Sequence, residues 1–348
     1  MFKLPLVRCS PVWLLLAAVA FVGAACNRSA TIDREAHMQA GDYKLSGPYT
    51  HDNLTIYLIH GEDQLQGKTL LTLEEALEQK KVVVHETQQV NELAIENTSD
   101  EDVFVQSGDI IKGGQQDRVI TSDLIVSAKS GKLPLGAFCV EQGRWHQRGG
   151  ENAAEFRASY HMVMGNELKI ANRRAGSQAK VWEGVNKAQS KLAENVGGSV
   201  RSAYSESSLQ LSLEDKKVQE AIEAYLKDLA SVADRDDDVI GFAFAINGKM
   251  NSADVYASHD LFKRLWAKQL KASATEAVAE LDKDKKFDPP DADAARAFLE
   301  GTEKGKATSK DVAKRFTLVQ SESDTGLLFE TRDKEQNDVM LRRNYLAK

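Results

Sequence analysis

The sequence predicts an α+β fold: a mixed or antiparallel β-sheet system with helices packed on its faces, behind an N-terminal signal peptide. Three observations predict it. Strand-like and helix-like stretches come in blocks rather than in strict alternation, which argues against a doubly wound parallel sheet. Asn247-Gly248 lies between two apolar alternating runs, a type I′ hairpin signal, because both central residues need positive φ. The end of the chain repeats short apolar runs, residues 316–319, 327–330 and 339–341, with Asp324-Thr325-Gly326 as a turn.

The first segment reads as an address. Lys3 and Arg8 precede an apolar run over 12–22, which ends in Gly23-Ala24-Ala25 before Cys26. Residues 1–25 are therefore expected to be a signal peptide. Small residues directly before a cysteine resemble a lipoprotein signal, with Cys26 lipidated as the new N-terminus, although Gly23 stands where Leu is usual. The run is short of the ~20 apolar residues of a membrane span. The expected location is the bacterial periplasm, anchored as a lipoprotein, with membrane contact only through the lipid on Cys26. Cleavage removes two cations and no acid, which takes the net charge from −7 to −9. That balance argues against a nucleic-acid partner. Cys9 leaves with the signal and Cys26 carries the lipid, so Cys139 has no disulfide partner.

Residues 26–45 are polar and lack periodicity, as a tether would; residues 46–348 are expected to be a single α+β domain. Leu54, Ile56 and Leu58 alternate as in a strand. Thr72-Leu73-Glu74-Glu75 offers a capping box, which predicts a short helix over 73–79. Residues 82–86, 93–97 and 103–105 read as strands, followed by a turn at Gly108–Gly114 and two more strands over 118–127 and 135–141. After Gly149-Gly150 the pattern turns helical. Val181, Val185, Ala188 and Leu192 share one helix face, and Val218, Ile222, Tyr225 and Leu229 share another, with Ser212 as the expected cap of the second helix. In the hairpin over 239–256, Phe242, Phe244 and Ile246 share one face; Gly241, Ala243 and Ala245 share the other and admit a close helix. Ser258 is placed to cap a helix with Leu261, Phe262, Leu265 and Trp266 on its apolar stripe, and a shorter helix follows Pro289-Pro290 and stops near Gly301.

The chemistry-bearing residues concentrate between Val103 and Trp145. Two motifs stand out: Ser107-Gly-Asp-Ile-Ile-Lys-Gly-Gly-Gln-Gln-Asp-Arg118 and Cys139-Val-Glu-Gln-Gly-Arg-Trp145. Together with the hairpin Gly241–Lys249 and Ala253-Asp254-Val255-Tyr256, they resemble the ADP-ribosylglycohydrolase and rhodanese-phosphatase-superfamily-associated protein domain, a bacterial domain of unknown function. The resemblance covers most of residues 45–276. Asp109 stands where that pattern has Glu, and Asp117 where it has Asn. The family name implies ADP-ribose or phosphorylated ligands by association only.

Gly108 and Gly113 have the spacing of a phosphate loop, but the Lys-Ser/Thr is missing and a strand follows, which excludes nucleoside-triphosphatase chemistry of that type. A glycine turn beside Lys112 and Arg118 can still offer amides and positive charge to an anion. The bland alternative is a bulged turn with Arg118 paired to Asp109 or Asp117. Asp109 and Glu141 are the candidate acid/base carboxylates, and Arg144 offers a planar fork for a carboxylate or phosphate. The seven histidines show no metal-ligand spacing, so no metal site is expected, and no cofactor is indicated. Asp234–Asp238 resembles the start of a calcium loop but lacks its closing acid; a solvated charge run is the better reading.

These observations lead to an expected envelope binding module for an anionic or nucleotide-like ligand. Its site would comprise Gly108, Lys112, Gly113, Gln116, Arg118, Glu141 and Arg144. One alternative is a hydrolase of a phosphorylated or ADP-ribosyl substrate with Asp109 or Glu141 as acid/base. The other is a structural envelope lipoprotein with no small ligand. Protein partners are not specified by any motif.

Overall fold

The computed structural model describes residues 39–65, 67–149, 151, 155–174 and 176–348. The signal peptide and Cys26 lie outside the described residues. From residue 39 onward the chain forms one compact unit. It is α+β, with mostly antiparallel sheets and seven α-helices among the described residues.

The largest sheet has eight strands, all antiparallel to their neighbours. In spatial order they are β1 (Lys44–His51), β2 (Leu54–His60), β12 (Val239–Ile246), β13 (Lys249–Tyr256), β17 (Val339–Ala347), β16 (Gly326–Asp333), β15 (Phe316–Glu322) and β14 (Lys306–Asp311). An N-terminal hairpin, the central hairpin and a C-terminal meander thus share one sheet. The second sheet has six strands in the order β11 (Phe156–Met162), β7 (Asp109–Gly113), β8 (Arg118–Ile120), β10 (Leu133–Cys139), β5 (Glu92–Asn97) and β4 (Val82–Gln89). A small third sheet joins β3 (Leu71–Thr72), β6 (Val103–Val105) and β9 (Leu124–Val126); its β3–β6 pair is parallel.

The central hairpin shows how side-chain size assigns layers. Asn247 and Gly248 have φ of 53° and 73°, as a type I′ turn requires. The Phe242 and Phe244 face meets α6 (His259–Ala279), where Phe242 and Trp266 make an edge contact at 5.4 Å. Ala243 on the opposite face lets α7 (Ala292–Glu303) approach, and Ala295, Phe298 and Leu299 pack there with Tyr57 and Ile59. Burying each phenylalanine contributes about 1.5–3 kcal/mol. The caps are equally local. Thr72 and Glu75 form the capping box of α1 (Leu73–Glu78), Ser258 accepts from the Leu261 amide, and Asp291 accepts from the Ala294 amide.

Several elements differ from the expectations. Ala40 and Tyr43 are buried and β1 begins at Lys44, so residues 40–45 pack with the fold rather than trailing as tether. The stretch 118–127 is two strands, β8 and β9, in different sheets. After Gly150 the chain first forms β11, whose sequence Phe-Arg-Ala-Ser-Tyr-His-Met carries little apolar periodicity, and then α2 (Asn166–Arg173) before the expected α3 (Gln178–Asn195). Ser212 sits inside the short α4 (Leu209–Leu213); Asp215 caps α5 (Lys216–Leu229) by accepting from the Lys217 amide. Strand β14 is polar and mostly exposed, which hid it from a reading based on alternation.

Candidate functional site

The stretch expected to turn over Gly108–Gly114 is mostly strand β7; the turn itself falls at residues 114–117, between β7 and β8, and the amides at this corner are already answered. Gly113 N donates to Asp117 Oδ1 at 3.0 Å, Gln115 N to Glu86 Oε1 at 2.9 Å and Gly114 N to the Glu155 carbonyl at 3.2 Å. The chain's own carboxylates therefore stand where a bound anion would be expected. Gly113 has φ +116°, and a Cβ there would lie 2.4 Å from the Glu155 carbonyl oxygen, so only glycine lets β11 come this close.

Five of the expected site residues meet here: Gly113 at the turn, and Gln116, Arg118, Glu141 and Arg144 beside it. Asp117 and Glu141, both fully buried, are held by two arginines. Arg148 reaches Asp117 at 2.8 Å and Glu141 at 3.5 Å, and Arg144 Nε lies 2.7 Å from Glu141. Gln116 donates to the Glu141 carbonyl at 2.8 Å, and Ser208 donates to Asp117 at 3.0 Å. Burial pushes the Asp117 carboxyl up, Arg148 opposes that, and Glu141 adds to it. Arg118 contacts the Cys139 thiol, lies 3.4 Å from Glu86 and sits 5.4 Å from the centre of the Trp145 ring. Burial raises the Cys139 thiol to about 11 against the pull of Arg118, so it is not a thiolate at neutral pH. The assembly is a buried network of ion pairs in which Arg118 and Glu141 are 0% exposed, with Arg118 Nε left without a hydrogen-bond partner.

The remaining expected residues lie elsewhere. Lys112 pairs with Glu214 at 2.8 Å. Asp109 is buried on Lys268 at 3.3 Å, and Lys268 also meets Glu74 at 2.8 Å. Gly108 lines a different feature: a cavity of about 30 Å³ between the start of β7, α2, α6 and strands β12, β13 and β17.

Of the residues in and around this cavity, Gly108 and Asp254 stood out in the sequence, whereas Arg173, Arg342 and Asp123, which lies beside the lining, did not. Asp123, fully buried, accepts from Arg173 at 2.7 Å, Arg342 at 2.9 Å, Thr331 at 2.9 Å and the Ser107 amide at 2.8 Å. Its burial acts to raise its pKa, but Arg173 and Arg342 outweigh it and hold the carboxyl at about 2. Asp254 accepts from Arg342 at 2.8 Å and Asn344 at 3.1 Å. Lys169 pairs with Glu276 at 2.7 Å. Two buried atoms are left without a partner, Asn172 Oδ1 and Arg173 Nη2, and both residues line the cavity. The available signal was Arg342-Arg343-Asn344 inside an otherwise apolar terminal run, since charges within a buried strand require internal partners.

A larger groove of about 590 Å³ runs along α3 beside Trp182, Asn186 and Lys191, but it is a solvent-open helix face without converging buried groups. Among the described residues, no group of three or more His, Cys, Asp or Glu side chains is placed to hold a metal ion. Nor, among them, is any helix long and apolar enough to cross a membrane.

The chain thus combines a mostly antiparallel α+β body with a glycine turn closed by its own carboxylates. It belongs to the family of the ARG and Rhodanese-Phosphatase-superfamily-associated Protein domain, whose model matches residues 42–339. No curated protein and no solved structure matches it.

Proposed function

We propose that this chain is a bacterial periplasmic lipoprotein, anchored through Cys26, that binds the terminal acceptor group of an anionic or nucleotide-like ligand in the cavity beside Gly108. One observation carries this reading: Arg173 Nη2 and Asn172 Oδ1, a donor and an acceptor, are both buried and unpartnered at the same cavity. A volume of about 30 Å³ matches a single small group, so an oxygen of a carboxylate, hydroxyl or phosphate enters while the ligand body stays outside. Lys169 and Arg342 are already neutralised by Glu276, Asp254 and Asp123, so the site favours one acceptor oxygen over a multiply charged ion.

A second reading, a structural role for the motif, draws on the closed network around Asp117 and Glu141. The hydrolase alternative has less support, because Glu141 is enclosed by Arg144 and Arg148 and Asp109 by Lys268.

A thermal-shift panel of short carboxylates, ADP-ribose, nucleotides and sugar phosphates tests the proposal. A ligand at ~100 times its Kd adds about 2.7 kcal/mol of stability. Arg173→Lys keeps a cation beside Asp123 but removes the free donor, and the expected result is a shift lost in that variant with the fold retained. Arg118→Ala is expected to lower stability while leaving the ligand shift in place. A flat panel, or one unchanged by Arg173→Lys, overturns the binding reading.

A further inference from the structure

Where β1, β2 and β12 run side by side, their ends bring a serine, a histidine and an aspartate into one line. Ser46 Oγ lies 2.7 Å from His60 Nε2, and His60 Nδ1 lies 2.6 Å from Asp238 Oδ1. The sheet itself makes the arrangement. His60 is the last residue of β2, Asp238 directly precedes β12, and the Gly61 amide donates to the Asp238 carbonyl at 3.0 Å. On the other side Lys44 is the register partner of His60 and Ser46 that of Leu58, so the serine and histidine are diagonal neighbours across an antiparallel pair.

The hydrogen-bond roles follow from the chemistry of the groups. An ionised carboxylate only accepts, so in the neutral imidazole the proton sits on Nδ1, and Nδ1–H donates a hydrogen bond to Asp238. Nε2 is then the lone-pair nitrogen and faces the serine hydroxyl. That is the tautomer and the order of contacts a serine nucleophile needs. Exposure fits as well. The His60 side chain is 4% exposed and held in place, whereas Ser46 is half-buried and its neighbour Gly47 is exposed, which leaves the hydroxyl reachable from solvent. Lys44, two residues before Ser46 on the same strand, places positive charge at this margin, and its charge is felt at Asp238.

We propose that Ser46, His60 and Asp238 form a nucleophilic site for carboxylic esters presented from solvent. Ser46 Oγ attacks the carbonyl carbon while its proton passes to His60 Nε2. Lys44 stabilises the developing oxyanion. The carbon–alkoxide bond breaks, and the proton on Nε2 goes to the departing oxygen. Water then attacks the same carbon, gives its proton to Nε2, and the serine recovers its proton as the acid leaves. Ester and water become acid and alcohol. Ser46 and His60 are the catalytic residues, and Asp238 is a positioning residue. None of the three belongs to the cavity beside Gly108, so this site stands or falls apart from the binding reading.

The test is covalent labelling of the full chain with a fluorophosphonate, in which Oγ–P forms and P–F breaks, alongside turnover of p-nitrophenyl acetate. The expected result is a single adduct on Ser46, absent in Ser46→Ala. His60→Gln should abolish labelling. Asp238→Asn should slow it by at least ~10²-fold, below the ~10⁴-fold of a fully buried triad acid because Asp238 is exposed. Asp238→Glu should restore part of the rate, which a merely structural role would not do. Circular dichroism confirms that each variant is folded. Absence of an adduct at Ser46, an adduct elsewhere, or equal labelling in folded His60→Gln overturns the proposal.

Discussion

Replacing Asp123 with asparagine probes the most heavily used carboxylate in the molecule. Asn keeps the shape, and its one oxygen can still accept from the Ser107 amide while its amino group donates to the Thr331 hydroxyl, but it removes the charge that Arg173 and Arg342 share. Holding the carboxyl at about 2 instead of the ordinary 3.8 is worth about 2 kcal/mol at neutral pH. Leaving two buried guanidinium groups without their common anion raises the total to about 3–5 kcal/mol. The sign follows from a depressed pKa: the stabilisation is complete above 3.8 and is lost as pH falls through 2. Urea denaturation of wild type and Asp123→Asn should therefore show a gap of that size at pH 7, narrowing by about 1 kcal/mol at pH 3. A gap under about 1 kcal/mol at pH 7 would mean that the carboxylate only breaks even against its desolvation. A gap that does not narrow at pH 3 would show that its worth lies in shape rather than charge. Either result would refute the reasoning.

Two further outcomes are expected. Burial, followed by the charge of Lys271, holds His161 at about 3, so the unfolded chain binds a proton there that the folded one refuses. Its contribution is intact above pH 6.5 and falls away toward pH 3; replacement by Gln should spare about 3 kcal/mol of the stability lost between pH 7 and 4, measured by denaturation at both pH values. Gly113→Ala forces a Cβ to 2.4 Å from the Glu155 carbonyl at φ +116°, and should cost about 1–3 kcal/mol or more, with faster amide exchange in β11 as the local readout.

Much of the fold was legible because its signals are local. The Thr72 capping box, the Ser258 cap and the Asn247-Gly248 turn depend on residues a few positions apart, whose sterics and hydrogen bonds hold whatever surrounds them. The two faces of β12 did separate two clusters, the phenylalanine face packing on α6 and Ala243 joining the cluster of α7, although the helix that lies against β12 most extensively is α6 on the large face. Strands β11 and β14 were not legible, because neither carries the alternation that announces a half-buried strand; pairing to β7 and β15 orders them instead.

The site residues divide along the same line. The motif between Ser107 and Trp145 marked out, by itself, where polar chemistry concentrates, and Gln116, Arg118, Glu141 and Arg144 do meet there. Only the tertiary structure decided that the glycine-turn amides face Asp117 and Glu86, and that Gly108 belongs to a separate cavity. Arg173 and Arg342 lie 50 and 219 positions from Asp123, and Ser46, His60 and Asp238 come from two strands and the turn that leads into a third. Backbone preference acts over a turn or two of chain, whereas these contacts depend on strand order and register. Those emerge only when the sheets have paired and the buried charges have found their partners.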